Sequence, residues 1–150
     1  MKYKTGNMFE IASKSDIVIA TGNASIKKNG ELVMGRGAAL EMKTRCPWSA
    51  KVFGGMIKEV PTPYGGFPKY GVIMSSGYGI YQVKYHFKDK ADLHLIQFSA
   101  FVLEDRANNF PEYNFHLNYP GIGYGGRTKE EVEPLLERLP DNVTIWEFEA

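Results

Sequence analysis

Val33-Met34-Gly35-Arg36-Gly37-Ala38-Ala39-Leu40 decides the fold, together with Asp16-Ile17-Val18-Ile19-Ala20 upstream of it and Pro47 downstream. The upstream run is too short for a helix and rich in β-branched residues, so it reads as a buried strand. A polar segment from Gly22 to Gly30 follows, and then two glycines open a helix predicted over about 38–46. Pro47 stops that helix, because a residue before proline is pushed out of the helical region. Ala39, Met42 and Cys46 recur at helical spacing and form its expected buried stripe. A strand, a glycine loop and a helix start together favour an anion. The first N–H groups of a helix lack internal partners, the helix dipole attracts negative charge, and glycine lets the backbone approach closely. Glycine is equally what an α/β protein uses where a strand turns into a helix. On this segment alone both readings stand.

Outward from this centre, elements alternate. Residues 2–11 carry a weak strand signal broken by Gly6-Asn7. A second helix is expected over Ser49–Lys58, a loop over Pro61–Pro68, and two strands at Tyr70–Ser75 and Tyr78–Lys84 around a Ser76-Gly77 turn. Leu93, Ile96, Ala100, Leu103 and Ala107 mark a helix from about Asp89, which is expected near its N-terminus. Phe115, Leu117 and Tyr119 alternate with polar residues as in a strand. Thr128 and Glu131 form a capping-box pair for a helix reaching about Leu139, in which Pro134 costs a backbone hydrogen bond. Val143–Phe148 reads as the last strand. The order predicts an α/β fold in one domain over residues 1–150, its sheet mostly parallel and covered on both faces.

A second glycine cluster, Pro120-Gly121-Ile122-Gly123-Tyr124-Gly125-Gly126-Arg127, lies between a predicted strand and helix. Gly121, Gly123 and Gly126 match G-x-G-x-x-G, with Glu147 about where a dinucleotide fold would want an acid. That fold adds further strands after its fingerprint, whereas this chain has only one. Neither glycine loop ends in Gly-Lys-Ser/Thr, so a P-loop is also excluded. Two glycine loops at the carboxyl edge of a parallel sheet could clasp both phosphates of a pyrophosphate. Two structural turns are the plainer alternative.

Composition narrows the classes. A net charge of +1 gives no global case for coating nucleic acid or an anionic membrane. The single Cys46 excludes an internal disulfide and a thiolate zinc site, which fits a reducing cytosol. No apolar run nears the ~20 residues of a membrane span, and Met1-Lys2-Tyr3-Lys4 leads into no signal-peptide core. The expectation is a soluble cytoplasmic protein whose format suits a bacterial or phage source. His86, His94 and His116 show no metal or triad spacing, so neither metal nor cofactor is implied.

These blocks resemble a macro domain, the module that binds ADP-ribose. They are Gly6–Glu10, Asp16–Asn23, Asn29–Pro47 with its Met-Gly-x-Gly-x-Ala-Leu-like loop, and Pro120–Val132, with a weaker block from Val83-Lys84 to Leu93. The similarity is to the branch that includes glycohydrolases removing ADP-ribose from DNA bases or protein carboxylates, and to small bacterial and phage macro-like proteins. It implies a three-layer α/β/α fold with ADP-ribose across the top of a mixed, mostly parallel sheet. By position, Met34, Gly35, Arg36, Gly37 and Ala38 would lie beside the phosphates and distal ribose. Gly121, Ile122, Gly123, Tyr124, Gly125 and Gly126 would close over the pyrophosphate. Asn23 would orient the distal ribose, since an amide offers both donor and acceptor to a diol. Lys43 is the lysine assigned to attack or assist at the anomeric carbon; a solvated helix lysine is its plainer reading.

Two departures from the family pattern stand out. Asn7 replaces the aspartate expected to recognise the adenine amino group, and would accept that hydrogen bond more weakly. The last glycine loop continues Gly126-Arg127-Thr128-Lys129, without the aspartate of the protein-directed hydrolases. The expected partners are therefore ADP-ribose or an ADP-ribosylated substrate, ADP-ribosylated DNA among them. The expected activity is hydrolysis of an ADP-ribosyl linkage to a nucleobase or side chain. A non-catalytic ADP-ribose-binding module and an ADP-ribose 1″-phosphate phosphatase are the alternatives.

Overall fold

A computed structural model describes residues 1–11 and 13–148. Six strands form one sheet: β1 (Lys2–Gly6), β2 (Asp16–Gly22), β3 (Val72–Ser75), β4 (Tyr78–Gln82), β5 (Asn114–Asn118) and β6 (Val143–Phe148), in the spatial order β1-β6-β5-β2-β4-β3. All neighbours are parallel except the β3–β4 hairpin. Helices α1 (Gly37–Arg45), α2 (Ser49–Lys58), α3 (Leu93–Asn109) and α4 (Lys129–Leu136), with short 3-10 turns at Met8–Glu10 and Gly123–Gly125, complete the described elements.

The layers follow from strand alternation, which sends successive side chains to opposite faces. On β2, Ile19 joins a core with Leu103, Phe115, Leu117, Leu136 and Ile145, under α3 and α4. Its neighbours Val18 and Ala20 face a second core with Met42, Phe53, Ile57 and Ile80, under α1 and α2. The result is the expected three-layer α/β/α sandwich.

Helix α2 has the expected boundaries, and the Thr128–Glu131 capping box is complete on α4. Two expectations change. Helix α3 starts after Asp92, whose carboxylate accepts from the Leu95 N–H at 3.1 Å, rather than near Asp89. Asp89 is used in a turn, accepting from the His86 N–H at 3.1 Å, so residues 89–91 stay outside the helix and Asp89 lines the site. Helix α4 ends at Leu136, sooner than expected; Pro134 lies inside it and cannot donate to the Glu130 carbonyl.

The edge strand β1 pairs with β6 although 140 residues separate the chain ends joined by the Met1–Asp141 ion pair. A buried chain crosses the sheet's interior: the Trp146 indole donates to His116 Nδ1 at 3.1 Å, and His116 Nε2 meets Asp16 Oδ1 at 2.8 Å. With Nδ1 accepting from the indole, Nε2 carries the hydrogen that Asp16 accepts. Burial pushes the Asp16 carboxyl up, but hydrogen bonds from His116 and Ser13 outweigh it and hold the group below the usual carboxylate range.

Candidate functional site

A cleft of about 640 Å³ opens at the carboxyl edge of the parallel strands, a size typical of small-molecule sites. Its walls are the end of β2 (Thr21–Asn23), the first glycine loop (Val33–Ala39), the segment 83–89, the end of β5 with the second glycine loop (Asn118–Gly125), and Glu147 of β6. The structure thus brings together Asn23, Met34, Gly35, Arg36, Gly37, Ala38 and Gly121 to Gly125.

Each wall is held by hydrogen bonds to another. Asn23 is buried; its side-chain oxygen accepts from the Ser25 N–H at 2.8 Å and its amide donates to the Val33 carbonyl at 3.1 Å. That use ties β2 to the first glycine loop and leaves one amide hydrogen and one lone pair for a ligand. The Val83 N–H donates to Gly22 O, the Ala24 N–H to Tyr85 O, and the Ala91 N–H to Gly125 O. Arg127 then braces the second loop, its Nε donating to the Ala91 carbonyl at 2.6 Å.

The floor is basic and rich in free donors. No side chain caps α1, so the N–H groups of its first turn, at Gly37, Ala38 and Ala39 on the cleft wall, have no capping partner. Arg36 stands 5.2 Å over the ring of Tyr124, so the two glycine loops meet across the cleft through a cation–π contact. Arg36, Lys84 and Lys88 line the cleft against Asp89 and Glu147, leaving an excess of positive charge.

Three expected residues lie elsewhere. Asn7 caps a short 3-10 turn, accepting from the Phe9 N–H at 3.0 Å while its amide donates to Glu41 at 3.2 Å, and it does not line the cleft. Gly126 lies against Lys90 rather than on the wall. Lys43 is also absent from the wall. It sits six residues beyond Gly37, about 9 Å further along the helix axis, so the first turn of α1 reaches the cleft and the second does not.

The cleft's own lysine is Lys84, just after β4. Its ammonium donates to the Asp89 carbonyl at 3.2 Å. Burial, and then the Arg36 guanidinium, draw it below the ordinary lysine range against the opposing pull of Asp89. Sequence reasoning passed over this residue, although it lies in the weaker Val83–Leu93 block and follows a predicted strand that ends at the cleft edge. Beside it, Phe87 lines the cleft and stacks on His86 at 4.6 Å, and His86 meets the edge of Phe67 at 5.7 Å. Phe67 and Phe87 are 44% and 40% exposed, and of the row only Phe87 lines the cleft.

No family model matches the chain, and no curated protein does. Solved structures do. The macrodomain of Thermus aquaticus DarG is similar at a TM-score of 0.69 and 21% identity, over 99% of this chain and 97% of that one. The macrodomain of Mycobacterium tuberculosis DarG gives 0.67 and 21%, over 96% of each chain. Thermosipho africanus DarTG, solved in complex with ADP-ribose, gives 0.65 and 17%, over 91% of this chain and 39% of that one. The fold is therefore that of a macrodomain. Among the described residues no helix is long and apolar enough to cross a membrane, and no group of His, Cys, Asp or Glu could hold a metal ion.

Proposed function

We propose that this macrodomain binds ADP-ribose in the cleft between its glycine loops and hydrolyses an ADP-ribosyl linkage there, with Lys84 in the role first expected of Lys43. The carrying observation is a lysine with a depressed pKa on the same wall system as two glycine loops and a buried asparagine. The likeness to a DarTG solved with ADP-ribose supports the ligand class.

The pyrophosphate would lie between the first turn of α1 and the loop Gly121–Gly125, below the Arg36–Tyr124 contact. Asn23 would give its remaining donor and acceptor to the distal ribose. Lys84, more readily neutral than an ordinary lysine, would act at the anomeric carbon as base or nucleophile. In the net reaction water supplies the new oxygen at that carbon, the bond to the leaving group breaks, and the leaving group takes a proton.

The aromatic row beside Lys84 favours a planar leaving group, a nucleobase, over an aliphatic carboxylate side chain. Phe87 offers a face for stacking, and Lys88 lies 5.7 Å from that ring to meet phosphate. The last glycine loop adds no acid of its own: its Arg127 is spent on Ala91 and Glu131.

Single-turnover release of ADP-ribose from a modified oligonucleotide and from a modified glutamyl peptide tests this directly. Lys84→Ala should cut release by roughly 10²–10⁴-fold while ADP-ribose affinity changes little, and Lys43→Ala should behave as wild type. Full turnover in Lys84→Ala would remove the lysine from the mechanism. Tight ADP-ribose binding with no release from either substrate would leave a binding module.

A further inference from the structure

The sheet has two edges, and only one is guarded. At one edge β1 carries the exposed Lys2 and Lys4, the kind of charge that keeps a further strand from adding on. At the other edge β3 reads Val72-Ile73-Met74-Ser75, with no charge and no proline. Its outer main chain is also unspent. The Gln82 N–H donates to the Gly71 carbonyl at 2.7 Å, and the register pairs Val72 with Tyr81, Ile73 with Ile80 and Met74 with Gly79. Hydrogen-bonded and non-bonded pairs alternate along an antiparallel ladder, so Gly71, Ile73 and Ser75 face β4. The N–H and C=O groups of Val72 and Met74 point away from it, and no loop bonds to them among the described residues.

Beside this edge lies a second cavity, of about 410 Å³. Val72 and Met74 line it, with Met56 of α2 and with Arg106, Phe110 and Tyr113 at the end of α3 and just beyond. It reaches Ile17 and Phe115, near the amino ends of β2 and β5, and so lies at the opposite end of the strands from the cleft. Arg106 is its one charged lining residue. No hydrogen bond, ion pair or ring contact engages that guanidinium among the described residues.

We infer that β3 accepts an added strand from an extended acidic peptide. The peptide's main chain bonds to the outward groups of Val72 and Met74, and every second side chain then falls on the face those two residues share. One of these side chains, large and apolar, fills the cavity. A carboxylate on the same face pairs with Arg106, whose planar fork matches it. A second copy of this chain fits less well, because its own β3 brings no acid to Arg106. The site is separate from the cleft and does not depend on what the cleft binds.

Calorimetric titration of the full chain with a blocked synthetic peptide of about seven residues, long enough for one strand, provides the test. The peptide is threonine throughout, except for leucine at its centre and glutamate two places later. Saturable binding is expected, weakened on the order of tenfold when glutamine replaces the glutamate. Arg106→Gln should cause the same loss for the glutamate peptide and none for the glutamine peptide. Methylating one alternate set of the peptide's amide nitrogens should abolish binding, and methylating the other set should spare it. These peptides test strand pairing without altering the protein. Met74→Pro, which removes an outward donor but no bond to β4, should also abolish binding. No saturation at millimolar peptide overturns the inference. So does equal affinity for the glutamate and glutamine peptides, or binding indifferent to which nitrogens are methylated. Dimerisation of the chain that Met74→Pro abolishes, without peptide binding, would give the edge to a second copy and overturn the peptide as its occupant.

Discussion

The two glycine loops look alike in sequence and are built on different principles. In the first, Met34 is buried in the α1/α2 core, while a Cβ placed at Gly35 would meet nothing within 4 Å. In the second, a Cβ at Gly121 would come within 2.6 Å of Ile96 Cδ1, and one at Gly125 within 3.1 Å of Ala91 Cβ. The first loop has a glycine that packing does not need, which is what a ligand-facing position looks like. The second uses glycine to fit against Ile96 of α3 and against Ala91 just before it. Gly123 resembles Gly35 in having open space around it, although its φ of 64° would strain any side chain. A shared motif can therefore divide its glycines between fold and ligand.

Substitutions sharpen this contrast. The largest effect on stability should come from beneath the first loop, at Gly54 of α2, where a Cβ would lie 2.1 Å from the Gly30 carbonyl oxygen. Gly54→Ala must push backbone from backbone and should cost about 3 kcal/mol in denaturant unfolding. Gly121→Ala combines a φ of 82° with the Ile96 clash and should cost about 2 kcal/mol. Gly35→Ala should leave the unfolding curve within about 0.5 kcal/mol of wild type yet weaken ADP-ribose binding. Equal destabilisation by Gly35→Ala and Gly121→Ala would erase the distinction between the loops.

Smaller effects concern charge. Removing the guanidinium in Arg36→Gln should let the Lys84 pKa rise, since Arg36 contributes to its depression. The neutral amine would then appear only at higher pH, and the alkaline-rising limb of the rate profile should move to higher pH. An unmoved limb would mean that Lys84 does not set it. Away from the cleft, Asp16 contributes stability that is present above its unfolded pKa and lost as pH falls through its lower folded value. Melting temperatures should therefore drop below about pH 4, and Asp16→Asn should flatten that part of the curve. A wild-type profile unchanged in Asp16→Asn would separate the His116–Asp16 bond from acid sensitivity.

The parts of the molecule readable from sequence were those set by neighbours along the chain. Helix α2, the Thr128–Glu131 cap, the Ser76-Gly77 turn and the strand–loop–helix around Gly35 all depend on residues a few positions apart. Asp89 and Asp92 are equivalent as local capping signals, and only the turn with His86 decides between them. The lysines posed a harder problem. Lys43 looked well placed because it follows a glycine loop on a helix, whereas Lys84 follows a strand like many solvated lysines. What distinguishes Lys84 is Arg36, far away in the chain, and burial in a cleft assembled from four segments. Asn7 depends on distant residues in the same way: its amide donates to Glu41, on α1.

The hydrogen bonds that run from Gly22 to Val83, from Tyr85 to Ala24 and from Gly125 to Ala91 link the cleft walls through main-chain atoms rather than through flexible side-chain tips. Folding itself has therefore already ordered the surfaces a ligand would touch. Binding then forfeits little conformational entropy from these walls, so more of each contact's free energy remains as affinity.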